Sequence, residues 1–278
     1  RTGPHPGRRV IRTLLDRIVN DTSFRCIMTY GVLNGLDYVF TAAKKRKLKV
    51  IAILWLDGDP TVDDQSITKG IEAAKKYPQT IIRLSCGSEV RTRHGNVLDD
   101  IIVDCINRLR ATGVTQPITS VDSWWEWCNR SWPCAPSDLA GEVDWIGINV
   151  FPWWENKFSG IFTCTTARQA PGFHIARLRD VMQVYPNKPV MLTEFGWPGK
   201  PKGATEVNQF TGESCGVASE RNQTMVVQRT LAKLKKLGFS GTVFEAFREP
   251  WKTADEGPIG AGWGSCAGRA PYTCKPGF

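Results

Sequence analysis

From residue 24 onward, short apolar runs rich in β-branched residues alternate with longer stretches whose apolar positions recur at helical spacing. The short runs suit strands buried on both faces and the longer stretches suit helices that bury one stripe, so the alternation predicts repeated βα units around a parallel sheet. The strand-like runs are Phe24 to Tyr30, Lys49 to Trp55, Thr80 to Cys86, Pro117 to Asp122, Asp144 to Val150, Pro189 to Thr193 and Gly241 to Phe244. The clearest helical stripe carries Val97, Leu98, Ile101, Ile102, Cys105, Ile106 and Leu109 and stops near Gly113. Further stripes cover Ile67 to Ala74, Ile175 to Tyr185 and Met225 to Leu237, and Val10, Ile11, Leu14, Leu15, Ile18 and Val19 form one ahead of the first strand. The fold class expected is α/β, a (β/α)8 TIM barrel. Such a barrel needs eight strands. The pattern supplies seven, and the eighth would precede residue 8, so the first strand is expected to be missing or truncated, with the chain beginning after or within it.

No Pro-, Ser- or Gly-rich linker and no charge boundary divides the 278 residues, so residues 1–278 are expected to form a single catalytic domain. The stretches 123–138 and 200–216 exceed ordinary βα loop lengths and are expected to rim the active face. A hydrophobic fraction of 41% with 23% charged residues argues against a disordered chain. The longest apolar run, Val50 to Leu56, is far too short to cross a bilayer, so no membrane partner is expected. Arg1 opens no signal peptide, which implies that any export signal is already removed or lies outside these residues. The net charge of +9 could mean an anionic partner. Its basic residues are dispersed, as in Lys44 to Lys47 and Lys233 to Lys236, so they read as solvated helix faces and no nucleic acid is expected.

Nine cysteines are many for a cytosolic enzyme of this size. Six lie in loop-like segments. The pairs Cys128 with Cys134, Cys266 with Cys274 and Cys164 with Cys215 are the expected disulfides, which favours an extracellular or periplasmic protein. Cys26, Cys86 and Cys105 sit within apolar strand or helix patterns and read as small buried hydrophobes. There is no CxxC, and His5, His94 and His174 are scattered. No metal and no cofactor is expected.

In barrels the reacting groups sit where strands end and βα loops begin. Glu89 follows the run to Cys86 through Gly87 and Ser88, and Glu194 follows Thr193 directly. The two are 105 residues apart, or three βα units of about 35, so the same barrel face is implied for both. Two carboxyl groups about 5–5.5 Å apart divide the labour of retaining glycoside cleavage: one donates a proton to the leaving oxygen and the other attacks the sugar. Repulsion and burial raise the pKa of the acid of such a pair. For any single glutamate the ordinary explanation is a surface ion pair, which two at matching strand ends make less attractive.

The segment Leu192-Thr193-Glu194-Phe195-Gly196-Trp197-Pro198 resembles the nucleophile motif of glycoside hydrolase family 17. Tyr30-Gly31, Trp55-Leu56-Asp57-Gly58, Gly87-Ser88-Glu89-Val90, Asn149-Val150-Phe151-Pro152-Trp153 and Phe244 to Lys252 are similar to that family in the same order, so the resemblance covers roughly residues 24–264. It implies a retaining enzyme of the 4/7 barrel superfamily acting on β-1,3-glucan, with Glu89 as acid/base and Glu194 as nucleophile. It also implies substrate contacts at Tyr30, Ser88, Asn149, Glu245, Glu249 and Lys252. The family usually has Asn where Ser88 stands, a position from which the amide reaches the sugar 2-hydroxyl; Ser88 reaches less far. Met28 replaces a common Arg, and Arg248 occupies a position often acidic.

Eleven tryptophans fit a sugar ligand, because a pyranose packs its C–H face on a ring. Trp124, Trp125, Trp127, Trp132, Trp153, Trp154, Trp197 and Trp251 all fall in proposed loops. Half of them are expected to be structural, and Trp153, Trp197 and Trp251 are the favoured subsite platforms. Asp57, Asp122 and Glu245 also fall at strand ends. Glu245 is read as a partner for sugar hydroxyls or Lys252, and Asp57 and Asp122 as caps of the loops that follow them. Gly212-Glu213-Ser214-Cys215-Gly216 matches the nucleophile elbow of serine hydrolases only formally, since it lacks a flanking strand and helix. Asn20, Asn129 and Asn222 open Asn-x-Ser/Thr sites that matter in a eukaryotic secretory host. The functions weighed are a monomeric β-1,3-glucanase, a β-1,3-glucanosyltransferase using the same covalent intermediate, and a catalytically weak glucan-binding barrel.

Overall fold

The computed structural model describes residues 5–158, 164–276 and 278. In chain order the elements are α1 (Arg8–Asp21), β1 (Cys26–Tyr30), α2 (Tyr38–Lys45), β2 (Lys49–Leu54), α3 (Pro60–Lys76), β3 (Ile81–Ser88), α4 (Val90–His94), α5 (Asp99–Ala111), β4 (Ile118–Ser123), α6 (Trp124–Trp127), β5 (Ile146–Val150), α7 (Pro152–Phe158), α8 (Ala170–Val184), β6 (Val190–Phe195), β7 (Glu206–Val207), β8 (Ser214–Cys215), α9 (Glu220–Leu237), β9 (Gly241–Val243) and α10 (Thr253–Glu256). Seven strands hydrogen-bond in the order β1-β2-β3-β4-β5-β6-β9, and β7 and β8 form a separate antiparallel pair. Sequential strands linked by helices give the strand order of a (β/α)8 barrel with one strand unaccounted for. The strand expected before residue 8 falls partly on residues 1–4, which lie outside the described residues, and 5–7 have no regular structure.

The chain packs as two compact units, one of Pro4–Ile148 with Asp180–Met191 and one of Asn149–Arg179 with Leu192–Phe278. In the first, β2 pairs in parallel with β1 and β3, and Val50 to Leu54 are all buried, as a central parallel strand covered by helices requires. Ile51, Val121 and Trp145 form a core cluster, with Met28 and Met191 packed against it. Helix α3 starts well before its apolar stripe because Asp59 accepts the Thr61 and Val62 amides and Pro60 presets the first turn. Helix α5 turns Ile102, Cys105, Ile106 and Leu109 inward, the face expected from their spacing. In the second unit, Trp153, Trp197, Trp263, Val226, Ala167, Ala170 and Ala218 make the core. Ser219 caps α9 through the Asn222 amide, and Gly238, at φ 74°, ends that helix in the left-handed conformation.

The three expected disulfides, Cys128–Cys134, Cys164–Cys215 and Cys266–Cys274, are present. The reading of Cys86 and Cys105 as free buried hydrophobes is corrected: they form a fourth disulfide that ties β3 to α5. Their apolar surroundings are the same whether the sulfurs are bonded or free, so the pattern could not separate the two states. Cys26, also read as buried, is the free cysteine and is exposed at the start of β1, where the strand's burial lapses.

Candidate active site

In the first unit the turn after β3 is built by three residues in succession. Gly87 has φ 82°, and a Cβ there would lie 2.3 Å from Val90 Cγ2, so only glycine lets the strand bend against the buried Val90. Ser88 is buried and closes the strand in register with Val121. Glu89 then adopts the left-handed conformation at φ 53° and ψ 36°. Its amide donates to Val121 O at 2.7 Å and its carbonyl accepts from the Arg93 amide at 2.9 Å. The backbone of Glu89 is therefore fixed from both sides at the C-terminal end of β3, one residue before α4.

Asp122, at the end of neighbouring β4, is 1% exposed. It accepts the Arg91 amide at 2.8 Å, the Thr92 hydroxyl at 2.6 Å and amide at 3.3 Å, and the Ser123 amide at 2.8 Å. Burial, opposed by the Thr92 hydroxyl and reinforced by the charge of Glu89, pushes its carboxyl up to about 7. The sequence reading made Asp122 a cap for its own following loop. Its principal load is instead the first turn of α4, because the parallel register sets the end of β4 beside the end of β3. The Arg91 side chain runs the other way, gripping Asp99 through two bonds and reaching Ser137 and Asp138.

Asp57 is not a loop cap either. Asp63 does that work, accepting the Asp57 and Gly58 amides at 3.0 Å each. The Asp57 carboxylate faces Arg93 and His94; burial acts against it, but those two partners hold it below its ordinary pKa. Arg93 also donates to Leu56 O and Ser88 O and lies 4.5 Å from the Trp55 ring centre. This Trp55, Asp57, Arg93 and His94 cluster was not singled out from sequence, although Trp55 and Asp57 fall in a motif that was. Tyr30 ends β1 and is 39% exposed.

In the second unit, Leu192 to Phe195 are buried and Glu194 is 5% exposed at the penultimate position of β6. The preceding Thr193 hydroxyl donates to Asn149 Oδ1 at 2.9 Å. A Cβ at Gly196 would meet Phe244 O at 2.3 Å, so glycine is what allows the segment after β9 to pass this close. Trp197 and Trp153 are fully buried, edge to face at 5.3 Å, and the Trp197 indole donates to Val217 O. Both were favoured as sugar platforms from their loop positions, yet these rings pack the core of the unit and offer no open face. Trp124 and Trp127 are buried as well, while Trp251 is half-buried and Trp132 is exposed.

Glu245, Glu249 and Lys252 are brought together. Lys252 is buried, bonds Glu245 Oε2, pairs with Glu249 at 2.9 Å, and lies 4.3 Å from the Phe244 ring centre and 5.7 Å from that of Trp251. Burial favours its neutral form, but the two carboxylates outweigh burial and hold the ammonium above its ordinary pKa. Glu245 Oε1 is buried with no hydrogen-bond partner among the described residues. Arg248, at the often acidic position, turns to Glu220 at 2.5 Å. The serine-hydrolase pattern is ruled out by Cys215, which is bonded to Cys164, and by Ser214, which stands in the short β7–β8 pair with no helix directly after it. Cys164, Glu213 and Cys215 are the group of possible metal donors that lie together among the described residues, but the two sulfurs are already bonded to each other. No helix among the described residues is long and apolar enough to cross a membrane.

Residues 9–264 match the family described as the BtgE/BtgC glycoside hydrolase domain. The chain is 22% identical over 250 residues to "Probable beta-glucosidase btgE" of Aspergillus flavus, covering 89% of this chain and 37% of that protein. It thus spans little more than a third of that relative. It is 24% identical over 240 residues to "Glucan 1,3-beta-glucosidase" of Arthroderma benhamiae, covering 84% of this chain and 72% of the relative. Among solved structures, a glycoside hydrolase family 17 β-1,3-glucanosyltransferase from Rhizomucor miehei superposes with a TM-score of 0.76 at 20% identity, covering 99% of this chain and 92% of the other. That likeness shows the (β/α)8 barrel fold.

Proposed function

The chain belongs to the BtgE/BtgC glycoside hydrolase domains of glycoside hydrolase family 17, and from that premise we propose that it is a retaining enzyme acting on β-1,3-glucan, with Glu89 as acid/base and Glu194 as nucleophile. The observation that carries the reading is that each glutamate ends its own parallel strand, Glu89 after β3 and Glu194 in the last turn-ward residues of β6, where barrel enzymes keep their reacting groups. Glu89 gives its proton to the glycosidic oxygen as the C–O bond breaks, and a Glu194 carboxylate oxygen bonds the anomeric carbon. Glu89, now ionised, takes a proton from the incoming hydroxyl as the ester to Glu194 breaks and the Glu194 carboxylate is restored. Water as acceptor gives hydrolysis, the leading reading; a second glucan as acceptor gives transfer through the same intermediate, the alternative.

Glu245 Oε1, buried and unpartnered among the described residues, is suited to accept a sugar hydroxyl, and Lys252, held charged beside it, fixes its orientation. Tyr30, Asn149, Ser88, Glu249 and the half-buried Trp251 complete the proposed contacts. Four disulfides suit an oxidising compartment, so an extracellular enzyme is proposed. The test is turnover of laminari-oligosaccharides by Glu194→Ala and Glu89→Gln. Each should fall by several orders of magnitude with the fold retained, and near-normal activity in either would refute the assignment. Products longer than the substrate would establish transfer. Glucan binding with no turnover in the unaltered chain would instead support a binding barrel.

A further inference from the structure

We propose that Asp122 is a positioning residue for Glu89, holding the carboxyl of the acid/base in line with the leaving oxygen by anchoring the first turn of α4; this rests on the reading of Glu89 given above. Glu89 occupies a left-handed conformation that a non-glycine residue does not favour, so something other than its own preference must hold it. Two groups from β4 do so. Val121 O takes the Glu89 amide at 2.7 Å, and the Asp122 carboxylate takes the amides of Arg91 and Thr92 together with the Thr92 hydroxyl. Residues 89 to 92 are therefore fastened to the neighbouring strand at four donors.

Among the described residues no other side chain bonds the amides of Arg91 and Thr92, and the Asp122 carboxyl is nearly inaccessible. The Arg91 guanidinium is committed to Asp99, Asp138 and Ser137. Glu126 bonds Arg130, which donates on to Arg91 O. The charge of Glu89 acts on Asp122 and helps to raise its pKa. Loss of Asp122 leaves the amides of the first turn of α4 without their acceptor and frees the Glu89 backbone to relax. A displacement on the order of 1 Å at a reacting group costs about 100-fold in rate.

The two roles open to Asp122, general scaffold or aim of the acid, separate by leaving group. Proton donation matters for a sugar leaving group and little for dinitrophenolate, which departs without a proton. The experiment measures kcat/KM of Asp122→Asn and Thr92→Val on laminaritetraose and on 2,4-dinitrophenyl β-laminaribioside, with Glu89→Gln as reference and thermal unfolding as the check on folding. The expected result is a fall of about 10- to 100-fold on the oligosaccharide for Asp122→Asn, a smaller fall for Thr92→Val, and for both a change of less than about 3-fold on the aryl substrate. Equal losses on both substrates, or none on either, would overturn the proposal. Should Asp122→Asn fail to fold, Thr92→Val, which leaves the carboxylate in place, carries the same comparison. If Glu89→Gln itself shows no leaving-group dependence, the assignment of Glu89 fails. If Glu89→Gln shows it and the Asp122 and Thr92 variants do not, only the positioning role fails.

Discussion

Thr193 donates its hydroxyl to Asn149 Oδ1 at 2.9 Å, and both residues are buried. The bond joins the residue immediately before Glu194 to one on β5, so it fixes the direction in which β6 delivers the glutamate. Thr193→Val keeps the shape and removes the donor. It is expected to cost about 1–3 kcal/mol through the buried acceptor left behind, read as a lower denaturant midpoint, together with a fall in kcat on laminari-oligosaccharides. An unchanged midpoint would show that the bond holds nothing.

The disulfide between Cys86 and Cys105 makes a prediction that thiol chemistry can read. Unfolded in denaturant without reductant, the chain should titrate one thiol per molecule, that of Cys26, where the reading from sequence alone would give three. Replacing Cys86 and Cys105 with Ala opens a loop of 19 residues between β3 and α5 and should lower stability by about 3 kcal/mol.

Two buried groups pull stability in opposite directions with pH. Desolvation lowers His174 from 6.5 to about 3, so the native state keeps it neutral; the associated stability is present above about 6.5 and is lost as pH falls toward about 3. Asp122 is raised from 3.8 to about 7, so its contribution is present below about 4 and is lost as pH rises through about 7. Between about pH 4 and 6.5 the two slopes oppose, each up to about 1.4 kcal/mol per pH unit. Urea midpoints across that interval should therefore tilt upward with pH in Asp122→Asn and downward in His174→Leu, both relative to the unaltered chain. Parallel curves for all three would contradict the burial of these groups.

Glycine is required where backbones approach most closely. A Cβ at Gly196 would meet Phe244 O at 2.3 Å, an atom that cannot swing aside. Gly196→Ala is expected to lose about 1–3 kcal/mol and to displace Glu194 two residues earlier, so melting temperature and kcat should drop together. Gly141, which lies outside the left-handed region and whose Cβ would meet nothing within 4 Å, serves as the comparison for a surface site: Gly141→Ala should leave kcat alone.

The repeated βα units were legible because parallel strands buried on both faces leave continuous apolar runs. Each of the seven strands falls within a few residues of its expected place, α1 buries the stripe its spacing announces, and α5 buries Ile102, Cys105, Ile106 and Leu109 of its stripe, while Val97 at the head of that stripe is exposed ahead of the helix. Helix starts were less legible: α3 and α9 begin with polar turns whose caps, Asp59 and Ser219, lie outside the apolar stripe. The two glutamates proposed as catalytic stood out in the sequence because strand ends carry chemistry in this architecture. What the sequence hid were relations across strands. That Asp122 serves the turn after β3, or that Asp63 rather than Asp57 holds the loop after β2, depends on which backbone amide lies opposite a carboxylate, and no periodicity encodes that. Trp153 and Trp197 misled for a related reason: a loop position places a residue past its strand, but not on the surface.

The left-handed backbone at position 89 sets the interests of folding and of turnover against each other. A residue without a Cβ would sit there free of the steric penalty, whereas a glutamate bears about 1–2 kcal/mol, more than the extra backbone entropy a glycine gives up. Glu89→Gly should accordingly melt higher than the unaltered chain while losing the glucan turnover proposed for it. A search for tougher variants guided by melting temperature alone would drift toward erasing the enzyme.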